Sequence, residues 1–283
     1  MNVSYLGKVK VGLKERVKLI SVINLSPESF FKGSIITDEK ALEEKVISSI
    51  NEGADIIDLG GMSTAPYKRT FVTEETELSR IRWALDKIKD MNVRAEISID
   101  TQRSNIMKEA LKLGASIIND ISGLSDDKAA KIIRDYGASL ILCAAGNPEN
   151  VSDPVRFVIN SLNISFKKAL DSGIEADKIV VDPAIGFFRN SLLQYYDWDA
   201  TVIANIEKIK KELRTPILIG VSRKSFIGAL TQEEDPNKRL VGSLAATAIS
   251  VLNGADVIRT HDVAETLKTI KIAEYIRSKT YVF

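Results

Sequence analysis

Gly53-Ala54-Asp55-Ile56-Ile57-Asp58-Leu59-Gly60 is the stretch from which the fold can be read. Its apolar centre is nearly continuous, the mark of a strand covered on both faces, as strands in a parallel sheet are. Before it runs ALEEKVISSIN (41–51), with apolar residues at three- and four-residue spacing, a helical pattern. Gly53 then falls where a helix ends and a left-handed residue is needed. The same punctuation returns at Gly114-Ala115-Ser116, Gly137-Ala138-Ser139 and Gly254-Ala255-Asp256, each between a helical stretch and an apolar run. One loop between helix and strand is therefore used four times, and the chain repeats a strand-then-helix unit.

Working outward, the strand-like runs are KLISVIN ending at Asn24, DIIDLG at Gly60, AEISID at Asp100, SIIND at Asp120, SLILCA near Cys143, KIVVD at Asp182, PILIGVS at Ser222 and DVIRTH at His261. Further helical patterns lie between them, in EETELSRIRWALDKIK (74–89), SNIMKEALKLG (104–114) and DKAAKIIRDYG (127–137). Alternating strands and helices permit a closed barrel or a doubly wound open sheet. A doubly wound dinucleotide fold puts a Gly-rich phosphate turn after its first strand, whereas this chain has Asn24-Leu25-Ser26-Pro27 there. The expectation is a single α/β domain over residues 1–283, a (β/α)8 TIM barrel, a fold that takes about 250 residues. Residues 1–16 are expected to form a short extension, a hairpin plugging the barrel bottom.

Composition narrows the function. Apolar residues make up 45% and charged residues 27% of the chain, enough to bury a sizeable core. With 39 Lys+Arg against 38 Asp+Glu the formal charge is +1, which argues against nucleic acid or an anionic membrane as partner. One cysteine and one histidine exclude an internal disulfide and supply too few ligands for a Cys/His zinc site. With no signal-peptide core or spanning run in the sequence, the expected location is the cytoplasm.

A barrel builds its site at the C-terminal ends of its strands. Those ends carry Asn24, Asp58, Asp100, Asn119 with Asp120, Cys143, Asp182, Ser222-Arg223-Lys224, and Arg259 with His261. Each Asp or Asn alone could cap the following helix, and Asp58 and Asp120 are candidates for that role. Caps would not need cations beside them, and Arg223, Lys224 and Arg259 supply cations. Carboxylates and amides converging with Lys and Arg suit a polar heterocycle that also carries an anion.

These residues sit in blocks that resemble dihydropteroate synthases, in order from about residue 18 to 275. The blocks are Ser21 to Phe30 (SVINLSPESF), Gly53 to Thr64 (GADIIDLGGMST), Ile97 to Thr101, Ile118 to Gly123, Asp182 to Phe187 (DPAIGF), Gly220 to Gly228 (GVSRKSFIG) and Asn253 to Val263. The Ser-Arg-Lys-Ser-Phe-Ile-Gly block is specific to the synthase branch; related pterin-binding methyltransferases usually carry Asn where this chain has Lys224. The resemblance implies an alkyl/aryl transferase of the EC 2.5.1 class. It would condense 7,8-dihydropterin-6-ylmethyl pyrophosphate with p-aminobenzoate, or with a larger substituted aniline, in folate or modified-pterin coenzyme biosynthesis. It further implies that Asp100, Asn119, Asp182 and Lys224 bind the pterin, and that Asn24, Thr64, Arg259 and His261 contact pyrophosphate. Asn24 would be the ligand of a Mg²⁺ ion. Phe187 and Ser225 would receive the arylamine, Ser225 being alternatively a helix cap. Asp100, Lys224 and Arg259 would be the catalytic group, and the family often forms homodimers through helices near the chain's end.

The departures from the family pattern fall in loops. Met62 and Ala65 stand where the family usually has Glu and Arg; Lys68 and Arg69 follow as substitutes or as solvated loop charges. Cys143-Ala144-Ala145 replaces a Met-His-Met run, and Gly186-Phe187-Phe188-Arg189 replaces Gly-Phe-Gly-Lys, which would add a ring near the arylamine. A non-synthase pterin protein, either a methyl-transfer module or a silent binder, is the alternative. An unrelated lyase using Lys224 as a Schiff base, its basicity lowered by Arg223, ranks last.

Overall fold

The computed structural model describes residues 3–28, 35–63, 72–189 and 192–279. Two short strands, β1 (Val3–Leu6) and β2 (Val9–Gly12), pair antiparallel. Then come β3 (Lys18–Asn24), β4 (Ile56–Gly60), β5 (Glu96–Asp100), β6 (Ile117–Asp120), β7 (Ser139–Cys143), β8 (Ile179–Asp182), β9 (Leu218–Ile219) and β10 (Val257–Thr260). These eight are joined in the order β8-β7-β6-β5-β4-β3-β10-β9. A parallel bridge between Val181 and Ile217, with the Val181 N–H donating to the Pro216 carbonyl at 3.0 Å, brings the two ends together. The ring is a TIM barrel.

The helices are α1 (Glu39–Asn51), α2 (Glu74–Asp90), α3 (Ser104–Lys112), α4 (Ala129–Asp135), α5 (Pro154–Asp171), α6 (Tyr195–Ala204), α7 (Ile206–Leu213), α8 (Ser225–Thr231), α9 (Leu240–Leu252) and α10 (Val263–Arg277). Three of them, α1, α2 and α5, start on a side-chain cap. Asp38 accepts from the Ala41 N–H before α1, and Asp153 from the Arg156 N–H before α5, where Pro154 is the first helical residue. The repeated glycine turn is a Schellman motif: Gly53 N–H donates to Ile50 O and Ala54 N–H to Ser49 O, and the same pair of bonds recurs at Gly114, Gly137 and Gly254. Gly173-Ile174 makes a fifth copy after α5, hidden in the sequence because no alanine follows its glycine.

Strand parity decides what fills the barrel. Ile20, Ile56, Ile117, Ile141, Val180, Leu218 and Val257 point inward at its lower level, and Leu6 and Val11 of the hairpin cover them in one buried cluster. The alternate residues, among them Leu19, Ile57, Ile99 and Ile118, pack outward into the larger core beneath the helices. Burying a Leu or Ile side chain stabilises by about 1.5–3 kcal/mol, so both layers are cohesive. One strand is shorter than its sequence suggests. Regular pairing in β9 covers Leu218–Ile219 and not PILIGVS through Ser222: at its start Pro216 has no N–H and the Ile217 N–H is taken by the Asp256 side chain at 2.9 Å, and at its end the chain turns, the Lys224 N–H donating to the Val221 carbonyl.

Candidate active site

Two to four residues above the apolar plug, most of the same inward positions become polar. Register partners Asn24, Gly60, Asp100 and Asn119 run across four adjacent strands, and Cys143 pairs with Asp182 on the next two. Arg259 on β10 reaches across this ring: its Nε donates to Asp58 Oδ2 at 2.7 Å and its Nη2 to Asp100 Oδ2 at 2.8 Å. Asp58 Oδ2 also accepts from Asn119 Nδ2 at 3.2 Å, which turns the Asn119 carbonyl oxygen toward Cys143 Sγ, 3.8 Å away. Asp58 is fully buried. The expectation that it caps a helix is therefore wrong, and Asp120 caps no helix either: it accepts from the Ser122 and Leu124 N–H groups of the turn after β6, while α4 begins at Ala129 without a side-chain cap.

Burial raises the Asp100 carboxyl, the Arg259 guanidinium opposes the rise, and Asp58 adds to it. Asp58 Oδ1 and Asp100 Oδ1 are buried with no donor among the described residues. A buried acceptor left so costs about 1–3 kcal/mol, and a ligand that brings N–H groups removes that cost.

Asp182, at the end of β8, accepts from the Ala184 N–H at 2.7 Å, and burial pushes its carboxyl upward as well. Ala184 has a φ of 60° and Gly186 of 84°, so the turn after β8 is tight. That turn brings the Phe187 ring centroid to 4.4 Å from Lys224 Nζ, a cation–π contact. Burial lowers the Lys224 pKa and Arg259 lowers it further, with Asp182, Asp199 and Asp100 pulling it back. The lysine thus faces a ring of acids from the far wall. His261 Nδ1 lies 3.0 Å from Ser222 Oγ; burial first, then Arg259 and Lys224, depress its pKa well below the ordinary value. The ring is neutral at physiological pH, so His261 can offer an N–H to an anion and no charge.

Several expectations need correction. Arg223 does not face the mouth. Its φ of 57° turns the side chain outward, where it pairs with both Asp262 oxygens at 2.9 and 2.7 Å and donates to the Pro236 and Asn237 carbonyls. It cannot be the group that chiefly lowers Lys224. Phe188 adds no ring to an acceptor pocket, because it is buried against Phe157 and Trp198 at centroid distances of 5.1 and 5.4 Å. Ser225 is the first residue of α8 and not its cap; its hydroxyl oxygen accepts from Arg189 Nη2 at 3.1 Å. Thr64, Ala65, Lys68 and Arg69 lie outside the described residues.

Sequence reasoning passed over Arg80 and Asp199. Arg80 on α2 donates to both Glu28 oxygens at 3.1 Å and to the Gly61 carbonyl at 2.9 Å, tying the exits of β3 and β4. Burial would raise Glu28, but the bonds from Arg80 and Ser26 hold it down to about 2. For metal binding, no cluster of three or more His, Cys, Asp or Glu occurs among the described residues. A hard cation that keeps its waters and takes oxygens from a phosphate needs only one side-chain oxygen. Asn24 fits that need, its Oδ1 lying 3.7 Å from where a Cβ on Gly60 would stand.

Comparison with known proteins agrees with this geometry. The family model described as "Pterin binding enzyme" matches residues 20–261. The dihydropteroate synthase of Clostridium beijerinckii is 33% identical over 273 residues, 96% of this chain and 98% of that one. The dihydropteroate synthase of Bacillus subtilis is 32% identical over 270 residues, 94% and 90% of the two chains. Among solved structures, the Yersinia pestis dihydropteroate synthase with a sulfonamide drug superposes with a TM-score of 0.87 at 27% identity, covering 98% of this chain and 99% of the other. The Coxiella burnetii dihydropteroate synthase in complex with pteroic acid gives 0.84 at 30% identity, covering 98% of each. These relatives are synthases, which favours that reading over the methyl-transfer module or silent binder.

Proposed function

The chain belongs to the pterin-binding enzyme family, and from that premise we propose that it condenses 7,8-dihydropterin-6-ylmethyl pyrophosphate with p-aminobenzoate or a larger substituted aniline, releasing pyrophosphate. The observation that carries the reading is Asp100 Oδ1, a buried acceptor with no donor among the described residues, set among Asn119, Asp182 and Lys224. A pterin has an amino group and ring N–H groups to give such acceptors, and ring acceptors for a lysine N–H.

In this reaction the methylene C–O bond breaks with its electron pair going to pyrophosphate, the arylamine lone pair forms the new C–N bond, and the amine loses a proton. No nucleophilic side chain is needed. Asp100, Asn119 and Asp182 hold the ring edge, and Lys224 donates to it. Arg259 is held by Asp58 and Asp100, so its charge lies fixed where negative charge develops, which is electrostatic preorganisation. Asn24 would hold a magnesium ion, which supplies countercharge to the departing pyrophosphate. Phe187, Ser225 and Arg189 form the wall against which the arylamine would lie; the Arg189 guanidinium, bonded to the Gly186 and Phe188 carbonyls and the Ser225 hydroxyl, brings a positive charge to it.

We further read the exposed apolar residues Val241, Ile249 and Leu252 of α9 with Ile272, Tyr275 and Ile276 of α10 as the seat of a second copy, and the cytoplasm as the location. No helix among the described residues is long and apolar enough to cross a membrane. The test is pyrophosphate release from synthetic dihydropterin pyrophosphate with p-aminobenzoate, a ribosylated aniline phosphate or no acceptor, each with and without EDTA. Acceptor-dependent release supports a synthase and ranks the arylamines; release unaltered by EDTA counts against magnesium. No release despite pterin binding would return the protein to the binder class.

A further inference from the structure

We propose that Asp199 is a positioning residue of the pterin site, anchoring from α6 the turn that follows β8 and standing as counter-charge to Lys224 across Gly186. The inference rests on the pterin reading of the mouth. Asp199 lies behind the wall and not at a strand end. Its side chain is fully buried; Oδ1 accepts from the Gly186 N–H at 2.8 Å, and Oδ2 has no partner among the described residues. A half-satisfied buried carboxylate is a poor core residue, so packing alone does not explain it.

The far side of the same glycine faces the lysine. A Cβ on Gly186 would come within 2.8 Å of Lys224 Cδ and 3.5 Å of its Nζ. A single residue without a side chain thus separates the Lys224 stem from the Asp199 carboxylate. The turn it belongs to has two residues in the left-handed region, Ala184 and Gly186. Left-handed backbone at a non-glycine is strained and persists only where the surroundings fix it. Two carboxylates do so here: Asp182 takes the Ala184 N–H and Asp199 the Gly186 N–H. Between them they set where Phe187 meets Lys224.

The charged groups facing Asp199 are Lys224, from the turn before α8, and Arg189, from the turn after β8; those around Lys224 are Arg259, Asp182 and Asp100. Burial raises the Asp199 pKa to about 6, with the Gly186 bond, Lys224 and Arg189 opposing. The carboxylate is therefore charged at neutral pH. Removing that charge leaves Lys224 with less to offset burial and Arg259, and its pKa must fall.

The experiment measures pterin affinity of the full chain from pH 6 to 10 for wild type, Asp199→Asn and Asp199→Ala, with unfolding midpoints alongside. Asn keeps an oxygen for the Gly186 N–H but not the charge. It should bind pterin within threefold of wild type at pH 7, with the alkaline loss of binding moved to lower pH. Ala should bind at least tenfold more weakly at pH 7. If the Ala variant does not fold, the alkaline limb of the Asn variant decides. Wild-type affinity in Ala and an unmoved limb in Asn would overturn the proposal, leaving Asp199 a core residue. A wild-type protein that binds no pterin would sink the reading of the mouth, and this inference with it.

Discussion

Ile56 and Asp58 are inward neighbours on β4, as are Ile117 and Asn119 on β6 and Val257 and Arg259 on β10. The first of each pair lies in the plug under the hairpin. The second lies in the mouth, joined by Arg259 to Asp58 and Asp58 to Asn119. One step of strand parity separates a cluster of wholly apolar side chains from a layer holding charges on two carboxylates, a guanidinium and a lysine. The mouth keeps Asp58 Oδ1 and Asp100 Oδ1 without a donor among the described residues, so part of its interaction energy is available to whatever donates to them. Stability and binding are therefore separable along a single strand.

The largest expected effect breaks the lower layer. Ile141→Ala should cost about 3 kcal/mol of stability, from lost transfer energy plus the cavity left, while folded molecules keep their pterin affinity; a pterin Kd that rises in parallel would show that the two layers are not independent. In the upper layer, Lys224→Ala should weaken pterin binding at least a hundredfold, about 2.7 kcal/mol. Its unfolding midpoint should stay level or rise, because burial and Arg259 make the folded state disfavour the charged lysine. Chemical denaturation showing a large loss of stability would mean that Lys224 supports the fold.

Asp199 tests the border between the layers by pH. Its folded pKa of about 6 lies above the ordinary aspartate value. Its contribution is thus fully present below about pH 4 and is lost as pH rises through about 6. Asp199→Asn removes that loss, so its stability relative to wild type should grow by about 2 kcal/mol between pH 4 and pH 7. Urea melts showing a difference flat with pH would contradict the raised pKa. The smallest effect is expected at Ser225→Ala, which removes one of the bonds that hold Arg189. It should raise the arylamine KM two- to threefold with the pterin KM unmoved, and equal changes in both would place Ser225 elsewhere in the site.

The barrel was legible because strands buried on both faces leave continuous apolar runs, and because the Schellman glycines punctuate the repeat. β9 was overestimated at both ends, since Pro216, the Asp256 side chain and the turn from Val221 to Lys224 act on hydrogen bonds that apolar pattern does not record. The strand-end polar residues were legible as a set, but their directions were not. Arg223 and Lys224 are adjacent in sequence, yet the φ of Arg223 sends one outward to Asp262 and leaves the other in the mouth. Phe188 read as an active-site ring because its neighbours belong to one; its contacts with Phe157 and Trp198 come from α5 and α6. Asp199 was invisible for the same reason, reaching the site from a helix behind it. Asp58 could have been found by parity, two residues before Gly60 on the inward face.

The most direct test of the mouth is a calorimetric titration of 6-hydroxymethyl-7,8-dihydropterin into wild type and Asp100→Asn, with the fold of each checked by its unfolding midpoint. Asn cannot accept at both oxygens, so the account predicts measurable binding to wild type and at least a tenfold loss in a variant that remains folded. Equal affinity in the two would contradict it, and would move the pterin away from the ring of acids at the barrel mouth.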